Sequence, residues 1–412
     1  MCRKIELIKT REDNYTLSVD GMYMHSKYYP SKAAKDFINA NKEIFINEKK
    51  VIIYGIGLGY HIIELLKKIS KDCLIYVYDI DDKVIDIADE LGVTKTLKLD
   101  KRCILMLGEQ NFYSQFGNDL AWAKDIIIYS PSVKLLPDKF INIKNSLEEY
   151  TNNRQSLKKF GDTLSENLKY NESLKFQGLL DFYKQVNIKD ETVIIVSAGP
   201  SLDMNLEQLA NVQSRVKIFC VGSALRTLIK NGINPSMITI IDGQEIVYNQ
   251  IRGLEDLNIP LCFLSTASRW TISNYMGPKY IFYNEPNDSG IIINTGKTVA
   301  LAAIDIAVKG KAKNIILVGQ DLAFIGGRSH TYTFEENYGK EDKVQIGDKN
   351  IFQDIKCNDG KIRKTNKEYL YFKMKIEREI EDNPQVRFTN CSMGAEIKGT
   401  EVRTLKDIFD LK

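Results

Sequence analysis

The sequence predicts an α/β protein with two Rossmann-like units, and three observations support this prediction. Two short apolar runs end in glycine-containing turns, one at residues 51–59 and the other at 193–199. Apolar residues at helical spacing follow each turn, as in the strand–turn–helix units of a parallel sheet. The chain of 412 residues is 43% hydrophobic and 27% charged, which is ordinary for a globular protein of two or three domains.

The four segments that we predict differ in their patterning. Two of them contain strand–turn–helix patterns. The stretch between these two is polar with a helical stripe of apolar residues, and the end of the chain contains two helical patterns. The segments are an N-terminal Rossmann-like domain at 1–136, a helical connector at 137–189, a central α/β domain at 190–345, and a mainly helical C-terminal region at 346–412, with its helices at 367–382 and 402–411.

Composition excludes several classes of protein. The net charge of +3 is too small to indicate a nucleic acid or an anionic membrane as partner. The chain has no apolar run of the ~20 residues that a membrane helix needs, and its N-terminus has no signal-peptide core. The seven cysteines are far apart without metal-ligand spacing, and there are three histidines. We therefore expect a cytoplasmic protein with free thiols, no membrane insertion and no bound metal.

The first glycine turn contains Gly55, Gly57 and Gly59, and Asp79 follows at the end of the next predicted strand. Such turns let backbone approach a phosphate, and a strand-end acid can bond a ribose. The pattern is closest to the first motif of S-adenosylmethionine methyltransferases, but Ile53 occupies the position where those enzymes have an acid. We interpret it as a tight turn without a cofactor, with a nucleotide site as the alternative.

Polar and small residues end the predicted strands of the central domain. The carboxyl ends of parallel strands gather at one edge of the sheet, where ligands bind. We therefore predict one ligand site from these strand ends. Its residues are Ser197, Gly199, Pro200 and Ser201; Gly222 and Ser223; Asp242 and Gln244; Thr295, Gly296 and Lys297; and Gln320 and Asp321.

Of these turns, the one at 197–201 is the most typical of a phosphate-binding turn. Pro200 presets the turn, Gly199 allows close approach, and a helix beginning near Ser201 presents free amides and the positive end of its dipole. Asp203 in the first helical turn competes with a bound anion. The alternative is a capped crossover helix without a ligand.

The run from Asn294 to Thr298 is not a P-loop, because Ile291 stands where that motif requires glycine. Its amides remain candidate donors, and close packing of a helix on the sheet is the alternative. We assign Asp242 a hydrogen-bonding role rather than a metal role. Asp321 and its neighbour Gln320 either contact the ligand or form a polar strand end.

His330 is the candidate catalytic residue. It lies just beyond a predicted strand, in a loop containing Gly326 and Gly327, and not on an apolar helix face. A histidine in such a place can act as a general base near neutral pH. A structural or merely exposed histidine is the alternative.

Together these residues resemble the motility accessory factor family of bacterial flagellin glycosyltransferases. The resemblance rests on the order SAGPSL, IDGQ, NTGKTVALAA, VGQDLAF and SH, and it extends into residues 388–400. The central domain is also similar to bacterial sialyltransferases that use CMP-sialic acid. There the turn at Ser197 to Leu202, the Thr295–Gly296 turn and His330 correspond to that family's donor turns and catalytic histidine.

The resemblance implies transfer of a pseudaminic- or legionaminic-like acid from its CMP ester to serine or threonine of flagellin, a modification needed for flagellum assembly and motility. His330 would be the base, and no cofactor or metal would be required. One alternative is a pterin diphosphokinase that uses ATP and a metal held by Asp242 and Asp321. Another is a flagellin-binding protein without catalysis.

Overall fold

The computed structural model describes residues 3–121, 123, 125–286, 290–344 and 352–411. They form two compact units, Met1–Lys159 and Phe160–Lys412. Each unit contains a parallel sheet with helices packed against it, so the predicted α/β class is confirmed.

The first unit begins with a small antiparallel sheet and continues with strands and helices that alternate. Its strands are β1 (Ile5–Lys9), β2 (Tyr15–Val19), β3 (Met22–Tyr23), β4 (Lys50–Tyr54), β5 (Leu74–Asp79), β6 (Cys103–Leu107) and β7 (Ile126–Ile128). Its helices are α1 (Pro30–Ala40), α2 (Lys42–Phe45), α3 (Tyr60–Leu66), α4 (Asp82–Glu90), α5 (Val93–Lys98), α6 (Glu109–Leu120) and α7 (Ser130–Lys134), with a 3-10 turn at Asp138–Phe140.

The parallel sheet of this unit has the order β6-β5-β4-β7. Its central strands are continuous apolar runs, because helices cover both faces of a parallel sheet. Ile53 and Val77 are fully buried, for example, and Val51 pairs with Ile75. Asp79 ends β5, as the sequence predicts.

The predicted connector contains the long helix α8 (Ile141–Ser173). Its mean composition is polar, and nowhere in the described ranges is a helix both long and apolar enough to cross a membrane. The residues that follow α8 belong to the second unit, because their short strand pairs with the sheet of that unit and Phe182 lies in its core. The boundary between the two units in the sequence, after Lys159, therefore lies within the segment predicted as a connector.

The second unit contains the remaining elements. Its strands are β8 (Gln177–Gly178), β9 (Thr192–Val196), β10 (Lys217–Val221), β11 (Met237–Ile240), β12 (Leu261–Leu264), β13 (Lys279–Phe282), β14 (Asn314–Val318), β15 (Phe352–Lys356), β16 (Ile362–Asn366), β17 (Arg387–Asn390) and β18 (Glu401–Val402). Its helices are α9 (Leu179–Gln185), α10 (Leu206–Val212), α11 (Gly222–Lys230), α12 (Arg269–Asn274), α13 (Val299–Lys309), α14 (Phe334–Tyr338), α15 (Lys367–Asp382) and α16 (Leu405–Phe409), with 3-10 turns at Pro200–Met204 and Glu245–Gln250.

The sheet of the second unit has nine strands in the order β18-β17-β14-β9-β10-β11-β12-β13-β8. All of its pairs are parallel. The chain adds strands from β9 to β13 in one direction, and then α13 carries it back across the sheet to β14 on the other side of β9. Strand order therefore reverses between β9 and β14, and such a topological switch point leaves a crevice at the carboxyl ends of the strands.

The C-terminal region differs from the mainly helical segment that the sequence pattern predicts. Helix α15 coincides with the predicted helix at 367–382, but β17 and β18 extend the central sheet, and β15 and β16 form a separate hairpin. Phe388 on β17 is buried in the core of the second unit. Strands of two to five residues carry too little periodicity to be predicted when their partner strand is distant in sequence.

Candidate functional site

The carboxyl ends of four adjacent strands bring most of the predicted site residues to one edge of the sheet. In spatial order these strands are β14, β9, β10 and β11. Neighbouring strands lie about 4.8 Å apart, so their end turns are within reach of one another. The turns carry Gln320 and Asp321, then residues 197–201, then Gly222 and Ser223, and then Asp242 and Gln244.

The turns after β9 and β14 form hydrogen bonds with each other. The backbone N–H and the hydroxyl of Ser201 donate to the two carboxylate oxygens of Asp321, at 2.8 and 2.5 Å. The hydroxyl of Ser197 donates to Oε1 of Gln320 at 2.7 Å. Asp321 is 3% exposed, and burial raises the pKa of its carboxyl. These polar groups therefore hold the two turns together, and a ligand would have to displace these hydrogen bonds to reach them.

Gly199 is needed for this packing. A Cβ atom at Gly199 would lie 2.4 Å from Oδ2 of Asp321 and 2.4 Å from the carbonyl oxygen of Gly319. The N–H of Gly199 donates to the same carbonyl at 2.8 Å. The close approach that the sequence predicts at this glycine is thus made to β14.

The C-terminal run at 388–400 supports the turn after β14 from its other side. The N–H of Gln320 donates to the hydroxyl of Ser392 at 2.8 Å, and the N–H of Ala395 donates to the carbonyl of Asp321 at 2.6 Å. A Cβ at Gly394 would lie 1.9 Å from that carbonyl oxygen. This supporting role was not predicted, because no sequence signal connects residues so far apart.

The first turn of α11 remains open for a ligand. The first amides of a helix have no partner within it, and no side chain in the described part of the chain caps α11. Ser223 is half-buried, and its hydroxyl has no hydrogen-bond partner within the described part of the chain. A Cβ at Gly222 would lie 2.2 Å from Oε1 of Gln250, so this glycine allows Gln250 to stand beside the helix end. Open amides at the positive end of a helix dipole favour an anion.

Asp242 and Gln244 lie one strand further along. Both are exposed, and Oδ1 of Asp242 accepts from the N–H of Gln244 at 3.0 Å. The hydroxyl of Tyr338 accepts from Nε2 of Gln250 at 2.8 Å. Burial raises the pKa of the Tyr338 phenol, and the charge of nearby Asp242 raises it further. The end of β11 and the helix α14 thus meet here.

His330 lies over the turn after β9, because the N–H of the next residue, Thr331, donates to the carbonyl of Ala198 at 2.8 Å. Its ring centroid is 4.7 Å from that of Phe334. Burial lowers the pKa of His330 below its usual 6.5, although the charge of Asp342 acts in the opposite direction. A neutral imidazole is therefore favoured at neutral pH, as a general base requires.

Helix α14 connects His330 to the open end of α11. Nδ2 of Asn337 donates to the carbonyl of Ser223 at 3.1 Å, and Oδ1 accepts from Nε of Arg226 at 3.0 Å. The sequence pattern gave no signal for Asn337, Tyr338 or Gln250. We use "α11 site" for the first turn of α11 with Asp242, Gln244, Tyr338 and His330.

The predicted turn at Thr295 to Lys297 lies against α15. Gly296 and Lys297 have φ angles of +47° and +62°, and a Cβ at Gly296 would lie 3.1 Å from Cβ of Lys375. Tyr369, six residues earlier on α15, interacts through its hydroxyl with Ser329. Six residues correspond to about 9 Å along a helix. The turn and the His330 loop therefore contact the same helix.

The backbone amides of the glycine turn in the first unit already donate to other residues of the chain. The N–H of Ile56 donates to Oδ2 of Asp79 at 2.8 Å, and the N–H of Leu58 donates to Nε2 of His25 at 2.9 Å. A Cβ at Gly57 would lie 2.6 Å from that same Nε2. The amides that would meet a cofactor are occupied, which favours the interpretation as a tight turn without one.

Comparison with known proteins finds a family profile and a solved structure that are similar to this chain. The profile of the family described as "MptE-like: 6-hydroxymethylpterin diphosphokinase MptE-like" matches residues 162–327, which is less than half of the chain. The solved structure of the Maf glycosyltransferase from Magnetospirillum magneticum AMB-1 is similar over 98% of this chain and 71% of its own, with a TM-score of 0.52 and 14% identity. No curated protein sequence matches the chain. This chain therefore has a Maf-like fold.

Proposed function

We propose that this protein is a cytoplasmic glycosyltransferase that moves a nonulosonic acid of the pseudaminic or legionaminic type from its CMP ester to serine or threonine of flagellin. The observation that carries the proposal is the position of His330, which α14 joins to the open N-terminus of α11, one strand away from the switch point. The Maf-like fold and the resemblance of the motifs support it.

The α11 site supplies what departure of CMP requires. Cleavage of the donor leaves negative charge on the phosphate, and fixed amides directed at developing charge stabilise it. The open amides of Gly222 and Ser223 take this role in place of those at 199–201, because the Ser201 amide already donates to Asp321. Asp242 and Gln244 are exposed beside them and suit the ribose hydroxyls. CMP is a good leaving group, so this scheme needs no carboxylic acid as proton donor.

His330 accepts the proton of the acceptor hydroxyl in this scheme. A positioned general base contributes roughly 10²–10⁴-fold to the rate. His330→Gln should lower kcat by about that factor while leaving the affinity for CMP unchanged. Glu341→Gln is the matched control, because Glu341 is an exposed residue of the same segment.

The test has a binding arm and a turnover arm. CMP should raise the melting temperature, since a ligand at 100 times its Kd stabilises by about 2.7 kcal/mol. Ser223→Glu should remove this shift by placing a negative charge at the open helix end. Release of CMP from CMP-N-acetylneuraminic acid then measures turnover. Full turnover in His330→Gln, or no stabilisation by CMP, contradicts the proposal.

The family profile favours a second candidate, a diphosphokinase that uses ATP and a divalent cation. Asp321 is poorly placed to bind the cation, because both of its carboxylate oxygens already accept from Ser201 and the side chain is buried. Stabilisation by ATP with magnesium but not by CMP would favour the kinase. Flagellin binding without turnover, unchanged in His330→Gln, would favour a binding protein instead.

A further inference from the structure

Asp342 makes an unusual set of contacts with the two residues of the Ser329–His330 pair. Its Oδ1 accepts from the hydroxyl of Ser329 at 2.6 Å. Its Oδ2 accepts from the backbone N–H of Ser329 at 2.9 Å and from that of His330 at 2.7 Å. One carboxylate thus fixes both the backbone and a side chain at the proposed base.

The hydroxyl of Ser329 also lies 2.8 Å from Nδ1 of His330. A carboxylate only accepts hydrogen bonds, so the single hydroxyl proton of Ser329 points to Asp342. Oγ of Ser329 must then accept from Nδ1, and Nδ1 must carry the ring proton. Nε2 is left with a free lone pair, and it has no hydrogen-bond partner among the residues that the structure describes.

We propose that Asp342 and Ser329 are positioning residues that hold His330 in the tautomer protonated on Nδ1, with Nε2 directed to act as the base. The tautomer follows from the contacts alone, whereas its use as a base rests on the proposed function. A hydrogen-bonded carboxylate behind a catalytic imidazole fixes the ring and stabilises the imidazolium that forms when the other nitrogen takes a proton. Here the carboxylate acts through one hydroxyl.

The charges around His330 give the proposal a measurable consequence. The titratable groups that face the imidazole and Ser329 are Asp342, Lys340, Tyr338 and Tyr369. Asp342 raises the pKa of His330, while burial and Lys340 lower it. Asp342→Asn should therefore lower the pKa of His330 and weaken the preference for the Nδ1 proton. Ser329→Ala should weaken the same preference by removing the bridge.

The first experiment is nitrogen-15 NMR of the full chain labelled at histidine. The sequence has three histidines, so His330→Gln assigns the signal. We expect Nδ1–H and an unprotonated Nε2 in the wild type at neutral pH. Asp342→Asn should lower the pKa, and Glu341→Gln should leave the pKa and the tautomer unchanged. An Nε2–H tautomer of His330 in the wild type overturns the proposal, and this result needs no variant beyond the His330→Gln protein that assigns the signal.

Turnover of CMP-N-acetylneuraminic acid separates this inference from the proposed function. Asp342→Asn should lower kcat by about tenfold or more, up to the roughly 10²–10⁴-fold that a base contributes, with KM unchanged. In the dependence of kcat on pH, the acidic limb, which reports ionisation of the base, should move to lower pH in Asp342→Asn. Asp342→Glu should restore part of the rate. An Nδ1–H tautomer in a protein that CMP does not stabilise refutes the proposed function only. Turnover that is insensitive to Asp342 refutes the positioning role.

Discussion

At the residue scale, a glycine or serine at a strand end can contact either a ligand or a neighbouring turn, and the local sequence does not distinguish the two. Gly199 and Ser201 were predicted to approach a phosphate, and both instead contact the turn after β14. A glycine that approaches a ligand and one that approaches another strand have the same local pattern. The partner, here Asp321, lies 120 residues away in sequence and decides between them.

Gly199→Ala should destabilise the second unit. Its φ of −68° is normal for alanine, so the cost comes from contacts of 2.4 Å with Asp321 and Gly319. Overpacking of this kind costs about 1–3 kcal/mol. Urea unfolding followed by circular dichroism measures the change. Gly161→Ala is the control, because nothing lies within 4 Å of its Cβ and alanine in a helix interior should stabilise by roughly 0.5–1 kcal/mol. Equal midpoints for Gly199→Ala and the wild type would refute this account.

At the scale of elements, the first unit places two histidines against its glycine turn. His25 and His61 are buried, and the ring of His61 stacks on Tyr129 with centroids 4.0 Å apart. Nε2 of His61 lies 2.8 Å from the carbonyl oxygen of Gly55. Burial lowers the pKa of both imidazoles, that of His61 to about 4. The stability of the turn between β4 and α3 therefore requires that both histidines stay uncharged.

The first unit should lose stability as the pH falls from about 6.5 towards about 4. Over this range the unfolded chain binds protons at His25 and His61 that the folded unit excludes, so acid favours unfolding. The loss is on the order of 1 kcal/mol per pH unit for each histidine. Asp79, whose pKa is raised by burial to about 6, acts in the opposite direction over the same range and offsets part of it.

Hydrogen exchange with mass spectrometry can locate this effect. Peptides covering β4 and α3 should exchange faster at about pH 5 than at about pH 7, after correction for the intrinsic rate. His61→Phe keeps an aromatic ring beside Tyr129 and should weaken the pH dependence. His330→Gln, in the second unit, should not change it. Protection of these peptides that is independent of pH would contradict the buried-histidine explanation.

At the scale of the whole molecule, the sequence predicts what is local and misses what is distant. The bounds of β5 and α15 and the turns after β9 and β14 follow from runs of a few residues. The position of β17 beside β14, and the pairing of β8 with β13, depend on contacts between distant segments that leave no periodic signal. His330 was predicted as a candidate from its loop, whereas Asp342 and α14 could be connected with it only after the fold placed them beside it.

A chain that ends at the predicted boundary, residue 345, should lose the fold of the second unit and keep that of the first. The missing segment carries Phe388, Ala395, Ile397 and Leu405, all buried. Burial of a large apolar side chain contributes about 1.5–3 kcal/mol, so their combined loss approaches the 5–15 kcal/mol that stabilises a typical domain.

Hydrogen exchange again gives the measurement. In the chain ending at 345, peptides from β9 and β14 should lose protection, while peptides from β4 and β5 should keep it. A chain ending at Leu411, which packs against the core of the second unit, is the control and should match the full chain. Protection of β14 in the shorter chain would show that β17 is dispensable.

The order of strands in the second unit also affects how the protein is made. Strand β9 leaves the ribosome early, but β14 cannot gain its outer neighbour until β17, beginning at Arg387, has been synthesised. At 5–20 residues per second, roughly 10–40 s separate the emergence of β9 from that of β17. The first unit has all of its strands by residue 128 and can fold during that interval. Until β17 pairs with it, β14 presents an unpaired strand edge, and such an edge in a nascent chain promotes aggregation.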